Sequence, residues 1–266
     1  MRIAVLISGV LDYRRPIDKP SSGDWLNVID LPSLPYRLSP FDEAALETAL
    51  RLAGLEGNHL TMITTDCSPD KASICTLLAY KPDDLVCLSV PSALRGNSRG
   101  MVTLLSAELA QQRDEVDLWL MGREMGDLDD GHLAPYLARC WDLPLVSNAL
   151  VVNARSSDLS LQRLRINRIE ELTVQMPVAI SMTNDRRNRL RHPLMKNLAL
   201  AKRQVISLRE FNTNSSCALL SQAQFVEAEP VPTRYDSPDK CQILRGERAD
   251  QARDFARLLL DKTQSI

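Results

Sequence analysis

The chain has 266 residues, of which 44% are apolar and 25% charged, and its formal net charge is −2. This length can bury a full core, and the near-neutral charge excludes a general basic field for binding nucleic acid. The longest apolar runs are strand-sized and the N-terminus starts a strand at once, so we expect no membrane insertion, no secretory signal and a cytoplasmic location.

The first part of the chain alternates between strand-like and helical patterns. Strand-like apolar runs occupy residues 2–7, 59–65, 84–90, 116–121 and 145–153. Helical patterns lie between them, at residues 39–54, 70–80, 97–113 and 133–141. This order predicts an α/β fold with a mostly parallel sheet and helices on both faces, similar to the Rossmann type.

The pattern changes after the fifth strand. Residues 160–166 and 171–176 alternate as an antiparallel hairpin does, and residues 177–182 indicate another strand. From residue 204 the sequence is proline-rich and loop-like, and it closes with a helical pattern at residues 247–262. We predict one domain over residues 1–208 and a C-terminal arm over residues 209–266.

The stretch 121–144 joins a buried strand to a helix through a glycine-bearing acidic loop. In open α/β sheets such a loop, at the carboxyl end of a strand and the start of a helix, is where nucleotides bind. The acids Asp127, Asp129 and Asp130, with His132, leave a metal site as an alternative. Their spacing is not that of an EF-hand, and no second acidic cluster completes a ligand shell, so we predict no metal. The sequence contains neither a GxGxxG nor a GxxxxGK[ST] motif.

Two other stretches bear on chemistry. The run 186–192 carries the strongest local positive charge. It could bind phosphate or RNA, form a solvated loop, or dock a protein, and the apolar Leu194, Met195 and Leu198 that follow favour docking. The six cysteines form no C-x-x-C pair, so neither a disulfide framework nor a zinc site is expected. No Ser or Cys lies in a recognisable frame with a histidine, so no hydrolytic triad is expected.

Taken together, these stretches resemble the beta subunits of electron transfer flavoproteins over about residues 1–208. Residues 39–52 are similar to the family's N-P-F-D/C-E-x-A-L/V-E-x-A-L/V-R-L signature, which is the most specific match. Residues 116–144 are similar to its D-L-V/I-L-x-G-K/R-Q strand and acidic loop, in register to the closing Leu-Pro. The opening strand with its loop, the strand at 177, the N-E-P-R loop at 188–191 and the K-A-K-K segment near 202 follow in the family's order.

The resemblance implies a subunit without catalytic residues of its own, whose C-terminal arm at residues 209–266 wraps a partner subunit. It implies pairing with an alpha subunit that holds FAD, electrons received from a flavin-dependent dehydrogenase and passed to a quinone oxidoreductase, and a structural AMP in the beta subunit. Position by position, the resemblance assigns the AMP pocket to Leu6, Ser39, Pro40, Phe41, Asp42, Cys67, Gly126, Asp127, Asp129, Asp130, Gly131, His132, Leu133 and Ala134. It places Tyr13 and Phe41 near FAD, and assigns partner recognition to a loop at residues 184–200 with Arg191 and the apolar anchor Met195.

The chain departs from the family at several of these positions. Ser39 replaces Asn, Asp130 replaces a small hydroxyl or thiol residue, His132 replaces Gln and Ala134 replaces Gly, while the hairpin's glycine pair is Asn-Arg at 167–168. A carboxylate at Asp130 repels a phosphate. The N-E-P-R loop reads Asn-Arg-Leu-Arg at 188–191, which reverses one charge and predicts a different dehydrogenase partner. Two alternatives follow, namely a stand-alone protein that binds or hydrolyses adenine nucleotides, and a scaffold subunit that binds no nucleotide.

Overall fold

The structure is a computed structural model that describes residues 1–11, 36–65, 72–89, 98–124, 131–155, 158–204, 209–210 and 246–263. The chain divides into two compact units, residues 1–223 and residues 224–266. In the second unit the described residues form mainly one helix, α7, which is Arg248–Thr263. The predicted boundary after residue 208 and the wrapping of a partner by the arm stay predictions.

The first unit is built on a nine-stranded sheet with the order β11-β5-β4-β1-β6-β10-β7-β8-β9. All pairs from β11 to β7 are parallel, and β7–β8 and β8–β9 are antiparallel. A separate antiparallel pair joins β2 to β3. The strands are β1 (Arg2–Ile7), β2 (Val10–Leu11), β3 (Tyr36–Arg37), β4 (His59–Thr64), β5 (Asp84–Ser89), β6 (Leu118–Gly122), β7 (Leu145–Ala154), β8 (Asp158–Arg165), β9 (Arg168–Gln175), β10 (Val178–Met182) and β11 (Arg209–Glu210).

Helices cover both faces of the sheet, which confirms the predicted fold class. They are α1 (Pro40–Ala53), α2 (Ala72–Ala79), α3 (Ser98–Glu108), α4 (Ala110–Arg113), α5 (Leu133–Trp141) and α6 (Met195–Ala201). One core cluster joins α1 and α2 to the side of β1 that carries Ile3 and Val5. A second cluster joins α3 and α5 to the opposite side, which carries Ala4 and Leu6. The alternation of β1 side chains between two apolar layers is what a strand buried on both faces requires.

Strand β10 enters the sheet between β6 and β7, although it follows β9 in the chain. Its five residues are all buried, as expected for a strand paired on both sides. The strand at 145–153 therefore does not pair with the strand at 116–121, although it follows it in the chain. Strand β7 pairs with β10 on one side and β8 on the other, and both pairings contain a register shift, as β-bulges produce.

Several element boundaries differ from the sequence-based ones. The helix predicted at 97–113 is divided at Leu109 into α3 and α4. Residues 183–197, which show no helical period, contain a 3₁₀ turn at Arg186–Asn188 and the first residues of α6. No helix among the described residues is long and apolar enough to cross a membrane.

Candidate functional site at the carboxyl ends of the central strands

Strands that follow β1 in the chain lie on both sides of it in the sheet. From β1 the chain continues to β4 and β5 on one side, and then crosses to β6 on the other side of β1. The carboxyl ends of β1 and β6 therefore form the topological switch point, where ligands of open α/β sheets bind. Ser8 and Gly9 follow β1 there, and Arg123 and Glu124 follow β6.

The first turn of α1 lies against this edge and is closed by its own side chains. Ser39 and Asp42 form a capping box, in which the Asp42 N–H donates to Ser39 Oγ at 3.0 Å and the Ser39 N–H donates to Asp42 Oδ2 at 3.3 Å. The Gly9 N–H donates to the same carboxylate at 3.1 Å. Asp42 therefore fastens the loop after β1 to α1, and its carboxylate occupies the position where the N-terminus of α1 would hold an anion.

Burial dominates the electrostatics of Asp42. The residue is 1% exposed, and loss of hydration raises the pKa of its carboxyl above the ordinary 3.8, although the hydrogen bonds from Ser39, Gly9 and Ser8 lower it. The carboxyl group is thus held by backbone donors in a site that disfavours its charged form.

Gly122 lets β6 and α1 come this close. A Cβ atom on Gly122 would lie 3.1 Å from Asp42 Oδ1, 3.1 Å from Phe41 Cβ and 3.2 Å from the Asp42 nitrogen. The next residue, Arg123, continues the sheet by donating its N–H to the Met182 carbonyl at 2.8 Å. Its guanidinium lies 4.7 Å from the centre of the Phe41 ring and is paired with Glu124. A cation over an aromatic face is attractive, so Arg123 and Phe41 fix each other at the mouth of the site.

The N-terminus of α5 differs from that of α1. Its N-cap residue is His132, which makes no side-chain hydrogen bond to the helix, and Gly131 before it has a φ of +61°. Pro135 has no N–H, so the backbone donors of this first turn are those of Leu133 and Ala134. An uncapped helix start presents its donors and the positive end of its dipole to an anion.

A cleft of about 380 Å³ lies between the start of α5 and the ends of β6 and β10. This volume is within the range of about 300–1,000 Å³ that small-molecule sites occupy. The Asn148 N–H donates to Ser181 Oγ at 3.3 Å on one wall of the cleft, and Asn148 has a positive φ of 59°. The lining residues are largely polar: Arg123, Glu124, Gly131, Pro135, Ser147, Asn148 and Ser181.

The predicted site residues fall into four groups. Ser39, Pro40, Phe41 and Asp42 form the first turn of α1, and Gly131, His132, Leu133 and Ala134 form the start of α5. Leu6 is 1% exposed and packs in the core layer of α3 and α5, so its side chain is remote from solvent. The remaining predicted residues lie outside the described residues: Tyr13, Cys67, Gly126, Asp127, Asp129 and Asp130.

Two features of the site were missed in the sequence. Arg123 and Glu124 line the cleft, and both directly follow the predicted strand at 116–121, so their position after a buried strand was the signal available. Asn148 and Ser181 carried no such signal, because the insertion of β10 beside β7 brings them together. Within the described residues no group of three His, Cys, Asp or Glu side chains could hold a metal, and the acids Asp127, Asp129 and Asp130 lie outside that part.

The basic loop, residues 186–192, lies near the C-terminal part of α1, and carboxylates partly neutralise its charge. Arg187 pairs with Asp185 at 2.8 Å, and Arg191 pairs with Glu47 of α1 at 2.5 Å. The hydrogen bond to Asp185 raises the pKa of Arg187 and lowers that of Asp185. Leu194 and Met195 follow and are 70% and 80% exposed. Apolar side chains this exposed on an ordered loop are typical of a protein-binding surface.

A family model described as the electron transfer flavoprotein domain matches residues 27–203, which is more than half of the chain. The chain belongs to the electron transfer flavoprotein family. The match includes α1, β6 and the start of α5, and so spans the site described above. The resemblance inferred from the motifs is thereby confirmed.

Curated relatives place the chain with the beta subunits of this family. It is 23% identical to the electron transfer flavoprotein subunit beta of Bacillus subtilis over 234 residues, covering 86% of this chain and 88% of the relative. It is 27% identical to the human subunit beta over 240 residues, with 88% and 90% coverage. It is 26% identical over 169 residues to protein FixA of Azotobacter vinelandii, with 60% coverage of each.

Proposed function

We propose that this chain is the beta subunit of a heterodimeric electron transfer flavoprotein. It pairs with an alpha subunit that holds FAD, accepts electrons from a flavin-dependent dehydrogenase and passes them towards a quinone-linked oxidoreductase. The observation that carries the proposal is the family match over residues 27–203, which spans the switch-point site and the basic loop. The flavin supplies the redox chemistry, and we assign no catalytic residue to this chain.

The start of α5 is the part of the site that fits a structural AMP. Leu133 and Ala134 supply backbone donors at a helix start that the side chain of His132 does not cap, and Gly131 leaves room beside them. The start of α1 fits a phosphate poorly because the Asp42 carboxylate occupies it, so we assign Ser39 and Asp42 to the wall that shapes the pocket. AMP carries no redox chemistry here, and its role is structural.

We place Phe41 near the flavin, as the resemblance implies. The guanidinium of Arg123, stacked on the Phe41 ring, then brings a positive charge to the same region. Such a charge favours the reduced, more negative state of a flavin, although its pairing with Glu124 weakens the effect.

The pairing is tested by expressing this chain together with the alpha subunit of the same organism and purifying through a tag on one subunit. We expect an equimolar complex with the visible spectrum of bound flavin, and mass spectrometry of heat-released small molecules should detect FAD and AMP. A complex without flavin, or no complex, contradicts the proposal. A flavin complex without AMP supports the scaffold alternative, for which Asp130 is the reason.

The stand-alone alternative makes a different prediction. A protein that binds or hydrolyses adenine nucleotides alone would use Asp127, Asp129, Asp130 and His132 around a metal and a phosphate. Titration of the isolated chain with AMP and ATP, with and without Mg²⁺, separates the two. Turnover of ATP without an alpha subunit favours this alternative, and its absence favours the carrier.

The basic loop indicates the charge of the electron donor. Arg186, Arg189 and Lys196 are exposed, and none of them forms an ion pair with any residue that the structure describes. In the sequence they flank Leu194 and Met195, whose side chains are exposed. We propose that the donor presents an apolar pocket rimmed by carboxylates, since complementary charges speed association and select partners.

Replacement of Arg189 tests this charge. Arg189→Glu is expected to lower kcat/KM for the donor by roughly three- to tenfold at low salt, because it reverses a rim charge that steers association. The difference from wild type should largely vanish near 1 M salt, where charges are screened within about 3 Å. Arg113→Glu on α4 is the control. An Arg189→Glu variant with unchanged kcat/KM at low salt would contradict a carboxylate-rimmed donor.

A further inference from the structure

Glu47 of α1 binds Arg191 of the basic loop through several hydrogen bonds. Its carboxylate accepts hydrogen bonds from the Arg191 backbone N–H at 3.1 Å, from Nε at 3.0 Å and from Nη2 at 2.5 Å. Glu47 is 8% exposed, and Arg191 lies 144 positions further along the chain. The contact therefore ties a surface loop to a buried side chain of α1.

Tyr80 holds the same residue from its other end. Its hydroxyl donates to the Arg191 carbonyl oxygen at 2.7 Å. Burial raises the pKa of Tyr80 to about 12, so the hydroxyl remains a donor throughout the physiological range. The N–H, the carbonyl and the guanidinium of Arg191 are thus all fixed by two side chains from separate elements.

The held residue lies just before the exposed apolar pair. Leu194 and Met195 follow Arg191 by three and four residues, and α6, which begins at Met195, packs against α2. On the N-terminal side, Asn188 donates its side-chain N–H to the Leu150 carbonyl and is buried. The exposed pair is therefore presented on a short segment that is anchored on both sides.

The ion pair with Glu47 neutralises the positive charge of Arg191. The hydrogen bond from Arg191 to Glu47 raises the pKa of Arg191, and the two opposite charges cancel at close range. Arg191 thus differs from Arg189, which forms no ion pair with any described residue. Arg191 is suited to shaping the loop rather than to contacting a partner.

We infer that Glu47 and Tyr80 are positioning residues for donor docking, which act through Arg191 to hold Leu194 and Met195 in the conformation that enters an apolar pocket of the donor. The inference rests on the proposed function. A loop that is ordered before binding loses less conformational freedom on docking, so these contacts lower the KM for the donor without altering the electron transfer step.

The test uses the purified complex with the alpha subunit and a dehydrogenase that donates to it. Glu47→Gln removes the carboxylate charge and is expected to raise KM for the donor roughly tenfold with kcat unchanged. Tyr80→Phe removes only one neutral hydrogen bond and should raise KM roughly threefold. Hydrogen exchange of residues 189–194 should accelerate in both, while the flavin spectrum stays that of wild type. Glu115→Gln, which breaks the exposed ion pair between Arg2 and Glu115, is the matched control and should change none of these.

A double variant shows whether the two partners act as one unit. Glu47→Gln combined with Arg191→Gln should raise KM no further than Glu47→Gln alone, because both remove the same contact. The inference is overturned by a fall in kcat at constant KM, by faster loop exchange with no change in KM, or by KM changes in Tyr80→Phe equal to those of the control. A wild-type complex that holds no flavin overturns the proposed function itself, which is a result distinct from any of these.

Discussion

Asp42 is a buried carboxyl group whose described hydrogen-bond donors are backbone N–H groups rather than cations. In the family signature this position is Asp or Cys, so its type was readable from the sequence. Its role as the link between α1 and the loop after β1 was not, because that role depends on β1 and α1 meeting at one edge of the sheet.

Asp42 should give the free energy of unfolding an unusual dependence on pH. Burial raises its folded pKa above 3.8, so the folded state takes up a proton more readily than the unfolded state. The cost of the buried charge is present at neutral pH and is relieved as pH falls through the folded pKa. The free energy of unfolding of wild type minus that of Asp42→Asn should therefore increase as pH is lowered from about 7 towards 4.

Urea unfolding of both proteins across this pH range measures the difference. Asp42→Asn should also be less stable at every pH, by about 1–3 kcal/mol, because its amide N–H₂ faces backbone donors. Glu56→Gln, at an exposed position after α1, controls for the loss of a carboxylate. A difference that stays flat or shrinks on acidification would contradict the account of Asp42.

Gly122 is the second residue on which the site geometry depends. Gly122→Ala places a methyl group within 3.1–3.2 Å of Asp42 and Phe41, and part of that contact is backbone. We expect a loss of about 1–3 kcal/mol in thermal or urea unfolding. At Gly54, φ is −67° and the nearest atoms to an added Cβ are 3.5 Å away, so Gly54→Ala should change stability by less than about 0.5 kcal/mol. Equal effects of the two substitutions would exclude a close approach at Gly122.

At the scale of elements, the N-termini of α1 and α5 at the switch point differ in how they are capped. Helix α1 is closed by its capping box, whereas the N-cap residue of α5, His132, makes no side-chain hydrogen bond to its helix. The sequence indicated both helices, because Ser-Pro precedes one and a glycine-bearing acidic loop precedes the other. The sequence did not indicate which helix N-terminus is occupied by a carboxylate of the chain itself, since that depends on the contact of Asp42 with Gly9 across the sheet edge.

The proposed AMP site at the start of α5 leads to a prediction for His132, its N-cap residue. His132→Asp adds a negative charge at the start of α5 and should weaken AMP binding by about 1 kcal/mol, or roughly fivefold, because like charges repel at a helix N-terminus. His132→Asn, which adds no charge, should have a much smaller effect. Isothermal titration of the flavin complex after removal of AMP measures both. Unchanged affinity in His132→Asp would place the phosphate elsewhere.

Elements with a strong hydrophobic pattern could be predicted from the sequence. Elements whose place depends on contacts between distant parts of the chain could not. Strands β1, β4 and β5 were found within a residue or two, because each is a short stretch rich in apolar residues. The place of β10 between β6 and β7 was missed, since the chain reaches it only after the hairpin β8–β9. Helix α6 was missed because it is short and mostly exposed, and packing against α2 stabilises a helix that its own period does not reveal.

At the scale of the whole molecule, the described residues provide two surfaces beside α1. One is the switch-point site at its first turn, where AMP is proposed to bind. The other is the basic loop bound by Glu47 further along the same helix. The family motifs in the sequence pointed to both surfaces, but the pairing of Arg191 with Glu47 required the fold, because the two residues are far apart in the chain.

We propose that this chain provides the surface through which an electron donor reaches the flavin. Stopped-flow reduction of the complex by flavin-dependent dehydrogenases of the same organism tests it most directly, with flavin-loaded alpha subunit alone as the comparison. The account predicts that one dehydrogenase reduces the complex at a rate that saturates with donor concentration, and that the reaction is largely lost without this chain. Equal reduction of the alpha subunit with and without the chain would contradict the claim.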